Sequence, residues 1–417
     1  MPLFVGLLPQ SLGQLLIFLI VLANSQVFSA SVNNPFGIKY CQELVYFFLT
    51  VFSYVYVLSQ IRKSLTFKKV DLIVLAMVMF AILYSALAAW QRFGQPIHYG
   101  IIEERRTLGF LIYFPVVWSL RGKIVGFEQI LTWIVVSGLF CAMLSVGFFS
   151  GLISPLREMH VLSMAIRGDR CAMGLAYMSF AALIIVQRLV RGRHQVGWLV
   201  PLFLLTVILV VGQTRQILIS LTLALFVLSN SIRWVFWAAP LTAIGLWLST
   251  KINLLAEFFE KYQTLFAQLV SDQYLTKSYR VLAISEVGRE VLQGAWFGSG
   301  SLSLMWRDGF LRIYGKYFFL ADIGFFGSFY KFGIFAVPLI LVYLVTQYRV
   351  LQRIRNHSHY RLLFAAWVQL LVLIPVAATV EYRGFVSGLI LALSVTAIYD
   401  GSPGNCSVSD FQVHESR

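Results

Sequence analysis

Chemistry-bearing residues are sparse in this chain, in which only 12% of residues are charged. The ones that draw attention are Arg215, Arg280, Glu286 and Asp322. Guanidinium groups grip oxyanions through two parallel hydrogen bonds, and a carboxylate can take a proton from a hydroxyl. Arg215 closes the turn Gly212-Gln213-Thr214-Arg215. Residues 198–230 around it are too few for two easy bilayer crossings of about 20 residues each. The turn is therefore expected to be tight and recessed, with Arg215 facing a cavity or, alternatively, snorkelling to head groups. Arg280 falls in the first turn of a predicted helix, where the dipole disfavours a cation. It serves a ligand or is an ordinary exposed arginine. Asp322 opens an apolar segment, as an acceptor of a substrate proton or as an acid satisfying free backbone N–H groups.

Arg167, Asp169 and Arg170 precede another apolar segment, and Glu381 and Arg383 precede a third. His98 and His160 stand alone, and Cys41, Cys141, Cys171 and Cys406 lack CxxC spacing. With no HExxH and no phosphate-cradling glycine loop, no metal, nucleotide or other cofactor is expected.

The elements that must position these groups are membrane helices. The 417 residues are 59% hydrophobic, far from a soluble composition. Apolar windows predict an all-α polytopic membrane protein of about twelve spans, near 7–26, 42–60, 70–90, 107–120, 124–149, 171–187, 196–212, 216–232, 234–251, 318–346, 362–380 and 384–399. The first window, with Leu15–Ala23, lacks the positive flank of a signal peptide and is read as a span.

One set of loops holds Arg62, Lys63, Lys68, Lys69, Arg121, Lys123, Arg188, Arg191, Arg193, Arg233, Arg349, Arg353, Arg355 and Arg361, with Asp71 the acid beside them. That bias marks the cytoplasmic side, where both termini fall. The mixed-sign loops face outward. They include Glu103–Arg106 and the long charged element 252–317, which divides spans 1–9 (residues 1–251) from spans 10–12 (residues 318–399). The tail 400–417 reads as disordered. The net charge of +15 follows from this topology, and without a soluble basic domain it does not indicate nucleic acid.

Within the outer element, Val281, Ile284, Gly288 and Val291 recur at helical spacing, and Gly294 suits a C-cap. This helix also carries Arg280, Glu286, Arg289 and Glu290, and runs into Trp296-Phe297-Gly298-Ser299-Gly300. Aromatic residues Phe258, Phe259, Tyr262, Tyr274, Tyr279, Trp296 and Trp306 could stack on sugar faces or anchor the interface. Beyond it, Gly324, Gly327 and Lys331 share one helical face, so Lys331 should point into protein.

Three features together resemble the O-antigen polymerase and O-antigen ligase superfamily. They are the Gln213-Thr214-Arg215 turn, the outer helix running into Trp-Phe-Gly-Ser-Gly, and a span opening Asp322-Ile323-Gly324 and continuing to Lys331-Phe332-Gly333. The Asp-Ile-Gly form looks most like exopolysaccharide and capsule repeat-unit polymerases. The resemblance implies a GT-C-like, metal-independent glycosyltransferase of the bacterial inner membrane. It would act at the outer face on sugars linked through pyrophosphate to undecaprenol. Donor and acceptor are lipid-linked oligosaccharides; membrane lipid, a flippase and a chain-length regulator are further partners. Arg215 and Arg280, with Arg170 and Arg289, are then expected on the pyrophosphate, and Asp322 or Glu286 on the acceptor hydroxyl. Ligase-type members place a histidine near this span, whereas this chain offers Asp322. Two alternatives stand beside this reading: transfer of glycan to lipid A core or protein, and a lipid-linked oligosaccharide flippase.

Overall fold

The computed structural model describes residues 10–30, 34–62, 69–156, 171, 173–192, 199–212, 215–229, 279–315, 320–375 and 381–400. The expected ninth span, residues 252–278 of the outer element, Arg170, His160 and the tail beyond 400 lie outside them. Fifteen α-helices are described: α1 Gln10–Asn24, α2 Cys41–Arg62, α3 Lys69–Phe93, α4 Ile97–Glu104, α5 Tyr113–Arg121, α6 Phe127–Phe149, α7 Leu175–Val190, α8 Leu199–Val210, α9 Arg215–Ser229, α10 Tyr279–Leu292, α11 Gly309–Tyr314, α12 Phe325–Phe332, α13 Ala336–Arg353, α14 Tyr360–Leu373 and α15 Gly384–Asp400. Short 3-10 turns join several of them, and no β-strand occurs among the described residues.

This is an all-helical membrane protein. Cys41–Gln60, Lys69–Phe93, Phe127–Phe149 and Phe325–Arg353 are long and apolar enough to cross a bilayer. Six further apolar helices, among them α7, α9, α14 and α15, are shorter. Apolar side chains such as Leu44, Phe47, Leu72 and Met143 stay exposed on the long helices, as a lipid-facing surface requires.

Two stretches depart from the sequence expectation. The window near 107–120 is not a continuous α-helix. It is a 3-10 helix, Arg105–Ile112, followed by the nine residues of α5. Phe110 to Phe114, Val116 and Val117 are fully packed inside, against α2, α3 and α15. Its apolar character therefore reflects a buried core, not a lipid face. The span expected at 318–346 begins at Phe325, passes through a 3-10 turn at Gly333–Phe335, and continues to Arg353.

The chain weaves between two ends. At one, Asp71 of α3 meets Arg121 of α5 at 3.7 Å, and Glu128 of α6 meets Arg188 of α7 and His359 before α14, each at 3.1 Å. At the other, Asn24 of α1 donates to Tyr177 of α7 and to the Phe385 carbonyl of α15, both at 3.0 Å.

Candidate functional site

The second end holds a buried polar network that clamps α10 and its following loop onto the helices. The Lys331 ammonium of α12 donates to Glu104 at 2.7 Å, with both side chains about 2–3% exposed. Ser301 and Thr107 hydroxyls donate to the same carboxylate at 2.5 and 3.0 Å. Lys331 also stands 4.0 Å over the Tyr382 ring. Nearby, Arg92 of α3 meets Glu290 at 2.6 Å, and Ser299 donates to that carboxylate at 3.1 Å. Ser328 donates to buried Glu381. A buried ion pair offsets its desolvation only when further hydrogen bonds satisfy the remaining lone pairs, and Glu104 has such bonds.

The loop after α10 is shaped for close approach. Gly294 ends the helix at φ 96°, with the Ala295 amide donating to the Glu290 carbonyl at 3.0 Å, a Schellman closure. Gly298 and Gly300 also have positive φ. A Cβ at Gly300 would collide with the backbone of Ser85 and Ala89 on α3. The Ser301 amide donates to the Ser85 carbonyl and the Ser299 amide to the Tyr330 carbonyl, at 3.1 and 2.7 Å. Gln95 completes the tether, donating to the Ser301 carbonyl at 3.0 Å and accepting from the Ser303 amide at 2.7 Å.

The buried face of α10 is not the expected apolar stripe. Val281 and Gly288 are exposed, whereas Ala283, Glu286, Val287 and Glu290 are buried. Two of these four are carboxylates, answered by Arg92 on one side and Arg289 on the other. Arg289 pairs with Glu286 at 2.5 Å along the helix and is half exposed, so it neutralises its own neighbour.

The remaining expected residues can be placed through their helices. The Asp322 turn packs on α10, which brings Asp322 to the helix of Arg280, Glu286 and Arg289. Asp322 is exposed and, among the described residues, has no ion pair or side-chain hydrogen bond. Gly324, two residues on, sits against the Ile374 and Pro375 carbonyls at the finish of α14. Helix α9 packs on α14, and Leu228 near its C-terminus shares a cavity with Tyr360 at the start of α14. The two are therefore antiparallel, and Arg215, at the N-terminus of α9, lies at the end where Asp322 lies. The side chains of Arg215 and Arg280 and all of Arg170 fall outside the described residues.

Sequence reasoning missed Glu104, whose partners Ser301 and Lys331 lie far away along the chain, and gave Arg383 no role beyond its place before the last apolar segment. Arg383 is half-buried with no acid on it among the described residues, and burial pulls its guanidinium down to about 10. Burial also pushes the Tyr314 and Tyr382 phenols up. The expected lysine orientation holds: Lys331 points into protein. Of the aromatic residues, Trp296 is exposed, and Trp306 carries the Arg312 guanidinium 4.2 Å from its ring. Among the described residues no cluster of His, Cys, Asp or Glu is disposed to hold a metal.

Fold and site together define a helical membrane protein with a charged, polar apparatus gathered at one end of its bundle. No family model, curated protein or solved structure matches this chain.

Proposed function

We propose that this protein is a glycosyltransferase of the bacterial inner membrane that polymerises oligosaccharide repeat units carried on undecaprenyl pyrophosphate. In this reading the chain crosses the membrane about twelve times in a GT-C-like arrangement, and the Lys331 end faces outward. The observation that carries it is the convergence of the Arg215 end of α9, the Asp322 turn and the Arg280 helix at one end of the bundle, linked through Gly324 and Pro375.

A glycosyl pyrophosphate is already activated. The acceptor hydroxyl attacks the anomeric carbon, the bond from that carbon to the pyrophosphate oxygen breaks, and lipid pyrophosphate leaves. Arg215 and Arg280 stabilise the charge growing on the leaving group, with Arg170 and Arg383 as further cations. Asp322, without a competing partner, is the better placed of the two carboxylates to take the hydroxyl proton. Glu286 is held by Arg289 and serves to position α10. Arg289 is correspondingly less suited to the pyrophosphate.

The test is purified protein in lipid, given undecaprenyl pyrophosphate-linked repeat units without metal or nucleotide. Longer glycans are expected from the wild type and none from Asp322→Asn; undiminished chain growth in that variant would remove Asp322 from the mechanism. The flippase alternative is separated in a deletion strain. Repeat units stranded on the outer leaflet support the polymerase, and units trapped inside support the flippase.

A further inference from the structure

The loop that follows α10 runs beside two membrane spans, and its depth can be read from each of them. Lys69–Phe93 is long and apolar enough to cross a bilayer, and Asp71, facing Arg121, marks its far end. A crossing takes about 20 residues, so the hydrocarbon beside α3 extends to about Gln91. The Tyr84 hydroxyl donates to the Phe297 carbonyl at 2.5 Å, and the Ser301 amide to the Ser85 carbonyl at 3.1 Å. At about 1.5 Å per residue, Tyr84 stands about 10 Å inside that limit. The span Phe325–Arg353 gives the same answer. About 20 residues back from Arg349 lies Phe329, so Gly333 and Ile334 fall within the hydrocarbon. The Ile334 amide donates to the Trp296 carbonyl at 2.9 Å.

Irregular backbone is tolerated at such depth only where protein satisfies its polar groups. The loop and the break in the second span satisfy each other. At the 3-10 turn Gly333–Phe335 the Ile334 amide leaves the Tyr330 carbonyl, its partner in an unbroken α-helix, for Trp296. The Tyr330 and Lys331 carbonyls accept instead from the Ser299 and Gly300 amides, at 2.7 and 3.1 Å. The fit is backbone against backbone. A Cβ at Gly298 would collide with the Lys331 carbonyl, and one at Gly333 with the Trp296 carbonyl. The hydroxyls of Ser299 and Ser301 point inward, to Glu290 and Glu104.

The two large apolar side chains of the loop are left outside: Trp296 is 57% exposed and Phe297 64%. The Phe297 ring meets Phe335 at 6.1 Å, and Phe335 meets Phe80 and Tyr84 edge-on at 6.0 and 5.2 Å. Phe80, Leu83 and Leu87 on one span, and Ile334, Val337 and Leu341 on the other, are exposed at helical spacing, as lipid-facing stripes are. Phe297 therefore lies where two lipid-facing surfaces meet, with Trp296 beside it. We infer that residues 296–301 re-enter the bilayer as a loop, with Trp296 and Phe297 in contact with the acyl chains of membrane lipid below the head groups. The outer element, expected in water, then dips one loop into the hydrocarbon. The inference is independent of the reaction assigned to this end and of the side from which the loop enters.

The test is tryptophan fluorescence of the purified full chain in phosphatidylcholine nanodiscs. Three quenchers are compared: bromine fixed midway along the acyl chains, a spin label on the head group, and iodide in the water. Subtracting the emission of Trp296→Phe from that of the wild type isolates Trp296, and Phe297→Trp adds a reporter without removing one. Both signals are expected to lose most of their intensity to acyl-chain bromine and little to iodide or the head-group label. Melting of each variant checks that it is folded; where Trp296→Phe is not, the signal gained in Phe297→Trp gives the reading alone. A signal quenched chiefly by iodide would place the loop in water, and one quenched chiefly by the head-group label would place it at the interface. Either result would overturn the inference.

Discussion

The two ends of this bundle handle charge in opposite ways. At the Lys331 end three carboxylates are sunk into the protein and each is met by a base: Glu104 by Lys331, Glu290 by Arg92, Glu286 by Arg289. At the Arg361 end the described bases outnumber the described acids, and several arginines stay exposed. Pairing at the first end immobilises a loop and a helix that polar sequence alone would not hold to a membrane bundle. Surplus at the second end leaves charge available to the surroundings. A buried, hydrogen-bonded network gives precise placement, whereas a surface richer in bases than in acids gives attraction.

The comparison breaks most sharply at Lys331. Replacing Lys331 by Met strands the Glu104 carboxylate inside protein, and a loss of about 3–5 kcal/mol is expected in denaturant unfolding in detergent. The double variant Glu104→Leu with Lys331→Met should recover much of that loss, because no lone charge remains. A double variant as unstable as the single would mean that the ion pair itself, and not the stranded charge, sets the cost.

Gly300→Ala comes next. It forces a side chain onto the α3 backbone at a left-handed φ of 77°, with an expected cost of about 1–3 kcal/mol in the same experiment. Arg92→Ala should cost about 1–2 kcal/mol, less than Lys331, because Ser299 still donates to Glu290 and solvent reaches the partly exposed arginine site. At the other end, Arg361→Ala should shift unfolding by no more than about 0.5 kcal/mol. A shift as large as that of Arg92→Ala would erase the distinction between the ends.

The membrane character of the chain was legible in its apolar windows, and the finish of α10 in Gly294. So was the inward direction of Lys331, since helical spacing places it on the face of Gly324 and Gly327. Its partner was not legible. Glu104 lies 227 residues away, and Glu103-Glu104-Arg105-Arg106 reads locally as a mixed-charge loop. The stretch 107–120 misled for a related reason: an apolar run registers exclusion from water, and burial against α15 satisfies that as well as lipid does. On α10 the apolar spacing of Val281, Ile284, Gly288 and Val291 pointed to the wrong face. The carboxylates Glu286 and Glu290 are buried because Arg289 and Arg92 meet them, and a hydrophobicity pattern cannot register a partner that neutralises a charge.

The central claim is that Arg215 and Arg280 grip one pyrophosphate. Affinity for an undecaprenyl pyrophosphate-linked glycan, measured for the wild type, Arg215→Ala, Arg280→Ala and the double variant, tests it most directly. Each single variant should bind more weakly, and the double should depart from the sum of the two losses by more than about 0.5 kcal/mol, as contacts to a shared group do. Strictly additive losses, or binding unchanged by either replacement, would contradict the account.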